Sequence, residues 1–237
     1  MKKLLALLCT FAITQPAMAG SITNLGALTQ PQFDTLSKDL GAALSYKPIT
    51  PAASLGIVGF DVGVEATQTS MSNSSQIWKT ATNGSSVSNL YVPKLHVAKG
   101  LPLGFDVAAF YSKIPTTNIS LYGGELRYAI VDGGITMPAV AIRGSYTKLA
   151  GVNQLSLDTK GLDLSVSKGF AIFTPYAGVG EVWVNSTTNA GGLSGYNFTQ
   201  NKIFAGVNAN FLLTNVAAEI DRTGGVQSIS LKLGFRF

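Results

Sequence analysis

The sequence predicts an all-β fold: about ten antiparallel strands in up-and-down order, closed into a barrel and preceded by a short N-terminal amphipathic helix. Three observations carry this. From Ser54 onward apolar residues recur with period two, the alternation of a strand with two unlike faces. The polar parity is charged, although charged residues make up only 12% of the chain. Short turn signals alternate with longer polar stretches, so the strands come in hairpins.

The chain has 237 residues and divides into three parts: 1–19, a leader; 20–53, an N-terminal arm; and 54–237, the barrel. Lys2-Lys3, the apolar run Leu4 to Ile13 and the small-x-small site at Ala17 and Ala19 are the parts of a secretory signal. Its cleavage leaves Gly20 first. Cys9 is the one cysteine and lies in the leader, so the mature chain has no disulfide, thiolate site or thiol nucleophile. The formal charge of +5 falls by two once Lys2 and Lys3 are gone, and no basic cluster is interleaved with aromatics, which argues against nucleic acid as a partner.

Within the arm, Phe33, Leu36, Leu40 and Leu44 recur at spacings of three and four, predicting a helix over Pro31 to Leu44. A helix is about 10–12 Å across with its side chains, tight for a small barrel. The expected position is therefore the periplasmic mouth.

The first strand sets Val58, Phe60, Val62 and Val64 against Asp61 and Glu65. Thr67 to Asn89 then reads as a long exposed loop whose main aromatic is Trp78. The second strand sets Tyr91, Leu95 and Val97 against Lys94 and His96. The third opposes Val107 and Tyr111 to Asp106, and the fourth Tyr122, Leu126 and Tyr128 to Glu125 and Arg127. The fifth opposes Ile142 and Tyr146 to Arg143, and the sixth Leu162 and Leu164 to Asp163. In the seventh, Tyr176, Val182 and Val184 read as outward, which places Glu181 and Trp183 inward. The eighth opposes Ile203 and Val207 to Lys202, and the ninth Val216 and Ile220 to Glu219.

The last strand sets Ile229, Leu231, Leu233, Phe235 and Phe237 against Ser228, Ser230, Lys232 and Arg236. This ending resembles the closing strand of bacterial outer-membrane β-barrels. The resemblance implies apolar residues facing lipid, and it implies that Leu231, Leu233, Phe235 and Phe237 are read by the barrel-assembly machinery. It also implies periplasmic termini, hence an even strand count. A soluble barrel of lipocalin type would share the alternation with the faces reversed. The leader, the terminal Phe and the tyrosines near strand ends favour the membrane form.

The inward parity then gathers Asp61, Glu65, Asp106, Glu125, Asp163, Glu181 and Glu219 with Lys94, Arg127, Arg143, Lys202 and Lys232. Signs this nearly balanced predict a lumen of paired charges, with Lys232 closing the seam against Asp61. A ten-stranded barrel is little wider than an eight-stranded one, which its side chains fill. The expected roles are structural, at the surface, or as a narrow passive channel for small solutes. An adhesin acting through loops 67–89 and 187–197 on an extracellular ligand is the alternative, and an outer-membrane hydrolase a lesser one. No catalytic, metal or cofactor constellation is evident. His96 is the only histidine, it falls towards the periplasmic end of its strand, and the omptin proteases need a His near the outer rim.

Overall fold

A computed structural model describes residues 21–84, 86–134 and 136–237. The leader, with Ala17 and Ala19, lies outside the described residues. Ten strands form where period two was read: β1 (Phe60–Ser70), β2 (Asn89–Gly100), β3 (Phe105–Lys113), β4 (Ser120–Val131), β5 (Ala139–Ala150), β6 (Leu155–Ser167), β7 (Phe173–Thr188), β8 (Tyr196–Phe211), β9 (Thr214–Thr223) and β10 (Val226–Arg236). Each pairs antiparallel with its chain neighbours, and β10 pairs with β1, so the barrel has no open sheet edge around its waist. At the seam the Phe60 N–H donates to the Phe237 carbonyl at 2.8 Å and receives the reciprocal bond at 3.1 Å. Both chain ends of the barrel therefore lie at one mouth, here the terminus mouth. The opposite, loop mouth carries the 71–88, 114–119, 151–154 and 189–195 connections and the two-residue turn at 224–225.

The faces sort as expected. Val62, Val64, Leu126, Leu164, Ile203, Ile220 and Leu233 are exposed on the outside, while Asp61, Glu65, Arg127, Arg143, Asp163 and Lys232 are buried inside. Aromatic rings border this apolar belt. Tyr111, Tyr122, Tyr146 and Trp183 lie outward towards the loop mouth, and Phe60, Phe105, Tyr128 and Phe237 towards the terminus mouth. Phe60 and Phe237 stack across the seam with ring centres 5.6 Å apart, and Phe105 and Tyr128 at 4.7 Å.

Strand β7 corrects the expected phase. Tyr176, Val182 and Val184 are buried inward, while Glu181 and Trp183 are exposed on the outer face. Glu181 is therefore no member of the lumen network. Both faces of this stretch are apolar, so alternation alone does not choose. Packing does: Val182 and Val184 meet the arm helix, and the inward Gly178 and Gly180 leave room for Phe204 and Asp163.

The arm supplies the larger correction. Helix α1 (Gln30–Leu44) forms as the spacing predicts, with Pro31 in its first turn and Gln32 Oε1 accepting the Thr29 N–H at 2.9 Å. It does not cap the terminus mouth. It lies inside the barrel, in the half nearer the loop mouth. Gln30 bonds to Ser194, Ser37 Oγ is 2.9 Å from Ser186 Oγ, and Gln200 Nε2 donates to the Lys38 carbonyl at 3.1 Å. The helix fits because its last turn is narrow. A Cβ on Gly41 would lie 2.8 Å from a Val184 methyl, and Ala42 and Ala43 follow.

The first connection is not an open loop either. Strand β1 runs on to Ser70, and helix α2 (Ser75–Ala81) folds Trp78 wholly out of solvent, together with Met71, Ala81 and Val87.

Candidate functional site

The lumen holds two zones stacked along the barrel axis. Near the loop mouth it is apolar. Phe33, Leu36, Leu40 and Leu44 of α1 pack against the inward Leu90, Val92, Leu121, Leu155, Leu157, Val182 and Val184 of the wall, under Trp78. Fully burying a side chain of this size contributes roughly 1.5–3 kcal/mol, so the helix is firmly seated. Asp39, on its other face, accepts from Asn73 Nδ2 at 3.1 Å and Ser74 Oγ at 2.7 Å, which ties the first connection down over it.

Below the helix, residues 45–55 descend towards the terminus mouth as an irregular strap, bent at Thr50, Ala52 and Ala53. A buried backbone outside any ladder must find partners for its N–H and C=O groups. Here the charged wall supplies them. Lys202 Nζ donates to the Tyr46 carbonyl at 2.8 Å and Lys94 Nζ to the Lys47 carbonyl at 2.9 Å. Glu219 accepts the Ile49 N–H at 3.0 Å. Arg127 donates to the Pro51 carbonyl and, at 3.3 Å, to Thr50 Oγ1, which Arg143 also reaches at 3.4 Å. Ser167 Oγ, Asp132 and Asp106 accept the N–H groups of Ala52, Ser54 and Leu55.

The same wall groups pair with one another. Asp106 takes a two-pronged contact from Arg127 at 2.6 and 3.0 Å. Arg143 lies 2.6 Å from Glu125 and 3.8 Å from Asp163, which also takes Lys202 at 3.1 Å. Glu65 meets Lys94 at 2.5 Å. Lys232 lies 2.6 Å from Asp61, across the β1–β10 seam, with Arg236 3.7 Å from the same carboxylate. His96 sits between Glu65 and Asp61, at 3.6 and 4.0 Å, buried beside the strap.

Eleven of the twelve inward charges read from the sequence thus line this zone, and Glu181 does not. Sequence reasoning missed Lys47, whose Nζ lies 3.0 Å from Asp221, and left Asp221, on the polar parity of the ninth strand, out of the charged network. Also missed was the apolar zone. Its signal was present in Leu90-Tyr91-Val92 and Val182-Trp183-Val184, runs whose two faces are both apolar and which therefore require an apolar body inside.

An apolar belt outside a closed wall, with charge sealed within, suits hydrocarbon around the molecule and not water. The chain is a closed ten-stranded antiparallel β-barrel with an apolar outer belt. No protein-family model matches it, and no curated protein matches it in sequence. Among solved structures the barrel is similar to a loop L8 deletion mutant of OmpT, an outer membrane protein of Vibrio cholerae. That pair shares 15% identity at a TM-score of 0.33, over 63% of this chain and 55% of that one, so the chain spans about half of that protein's length. It is also similar to Neisserial surface protein A, with 12% identity and a TM-score of 0.32 over 75% of this chain and 95% of that one. The translocator domain of the autotransporter NalP from Neisseria meningitidis gives 9% identity and 0.33 over 88% and 95%.

Proposed function

We propose that this outer-membrane barrel is a sealed one, acting at the surface through its loop mouth and not as an open pore for solutes. One observation carries the reading: the strap 45–55 occupies the lumen, and its backbone is bonded by charged side chains from five strands. A solute path along the axis needs those groups free.

The loop mouth is built for a surface role. The start of the arm is woven into the connections there. Ile22 exchanges bonds with Asn118, Leu25 N–H donates to Gln154, and Thr23 and Asn24 N–H both donate to the Ala81 carbonyl. Stretches 67–89 and 187–197 remain the candidates for an extracellular ligand, without Trp78 as a contact. A non-enzymatic role is part of the proposal, since the one histidine, His96, is buried in the lumen between Asp61 and Glu65. Leu231, Leu233, Phe235 and Phe237 are outward and open to a partner in the membrane, as a barrel-assembly signal must be.

Single-channel recording in a planar bilayer tests the reading. The expected result is silence from the full mature chain and discrete openings once residues 21–52 are deleted, with heat-modifiable gel mobility kept by both. Regular openings from the full chain overturn the sealed barrel in favour of a narrow passive channel.

A further inference from the structure

The wall is not of even height. Strand β8 pairs with β7 from Tyr196 to Ala209, but its pairing with β9 begins only at Lys202, opposite Thr223. The tight turn Gly224-Gly225 ends the neighbouring hairpin there. Residues 196–201 therefore stand above their neighbours with one backbone edge unpaired, apart from the Gly224 N–H bonded to the Asn201 carbonyl. The result is a notch in the side of the barrel, a cleft of about 820 Å³ that reaches inward to helix α1.

Its chemistry is distinctive. Lys38 is exposed in the notch although the residues on either side of it are buried. Its Nζ lies 5.6 Å from the Tyr196 ring centre. Arg222 is exposed on the adjoining strand. Neither cation forms an ion pair within 4.0 Å among the described residues. Glu181 is the one exposed acid in the cleft. Gln200 is buried against it, and its Oε1 has no hydrogen-bond partner among the described residues.

Directly below, the outer wall is hollowed. Ala177 and Ala205 are Cα partners and lie between the larger Leu164, Val166 and Ile203. Their small side chains leave a groove of about 400 Å³ lined almost wholly by apolar atoms. Ile203 lines both the groove and the cleft, so the two are continuous. Polar cleft above and apolar groove beneath meet at the Val179–Ile203 pair, and Trp183, one of the aromatics that border the belt, lies on the cleft side, opposite Thr199.

We propose that this notch and groove form one site for an anionic membrane lipid, with a phosphorylated headgroup between Lys38 and Arg222 and an acyl chain along Ala177 and Ala205. The order of the two parts matches the lipid's own order across a membrane interface, which a soluble anion lacks. The phosphate meets two unpaired cations at the edge of low dielectric, where attraction is least screened. The plug then shares in the site, because Lys38 belongs to α1.

The full mature chain in phosphatidylcholine nanodiscs tests this through Trp183, since Trp78 is shielded. Acyl-brominated phosphatidylglycerol or acyl-brominated phosphatidylcholine is doped in at equal mole fraction, and Trp183 quenching is followed. The expected result is an apparent affinity about tenfold higher for the anionic lipid. The exposed-site variant K38Q/R222Q loses that preference while its quenching by the zwitterionic lipid is unchanged, and A205F weakens quenching by both. Equal quenching of the unmodified protein by the two lipids overturns the proposal, as does a preference that survives in K38Q/R222Q. Full displacement of the brominated anionic lipid by inorganic phosphate also overturns it, by showing a soluble-anion site.

Discussion

Lys47 Nζ and Asp221 Oδ2 lie 3.0 Å apart inside the barrel, at the point where helix α1 gives way to the strap. Both side chains are almost fully buried. The ammonium also donates to the Ala42 carbonyl at 2.8 Å and to Ser45 Oγ at 3.0 Å, so one side chain closes the helix and fixes it to β9.

Removing one partner of such a pair leaves the other charge buried alone. Asp221→Ala is expected to cost about 3–5 kcal/mol of stability, and K47M/D221L much less than D221A because no lone charge remains. Denaturant unfolding in detergent, followed by the loss of heat-modifiable mobility, measures both. A double variant as unstable as D221A contradicts the pairing.

Gly41 sets how closely α1 approaches β7. Gly41→Leu cannot be accommodated beside Val184, so the helix must leave its seat. The expected outcome is faster trypsin cleavage at Lys38 and the appearance of conductance, with the strands intact by circular dichroism. Gly41→Ala, which must displace one methyl contact, gives a smaller shift in the same direction.

The two tryptophans report opposite sides of the wall. Acrylamide is expected to quench Trp183 in detergent solution and to leave Trp78 nearly untouched, as compared in the W78F and W183F variants. Trp78→Ala removes a large buried side chain and is expected to cost about 3–5 kcal/mol. Ready quenching of Trp78 contradicts the folded first connection.

Glu181→Gln is expected to change stability by no more than about 0.5 kcal/mol, the usual range for a surface substitution. Glu125→Gln breaks a buried contact to Arg143 and is expected to cost several times that. Equal effects return Glu181 to the lumen.

Much of the barrel was legible because a strand in a membrane wall must alternate, and in nine of the ten strands the charged parity named the inside. The exception is β7, where Val182 and Val184 face an apolar helix and Trp183 faces lipid, so both parities look alike. The arm's helix was legible from Phe33, Leu36, Leu40 and Leu44, but its location was not. Local periodicity says that one face needs an apolar surface, and it does not say which surface. The run Gly41-Ala42-Ala43 was the available hint, since a helix so slender at one end suits a confined space. Lys47 escaped notice because it lies outside any periodic segment and acts through its backbone as well as its charge.

The strap and helix precede β1 in the chain and pass from the loop mouth to the terminus mouth inside the wall. A closed barrel gives such a segment no lateral way in. Its folded lid of connections would have to be undone for it to enter from the end. The β1–β10 seam, with Lys232 on Asp61, must therefore be the last joint made, once the ten strands have gathered around the arm. In that order of events the arm is already in place when the sheet closes, and its charged wall partners meet it as the sheet curls.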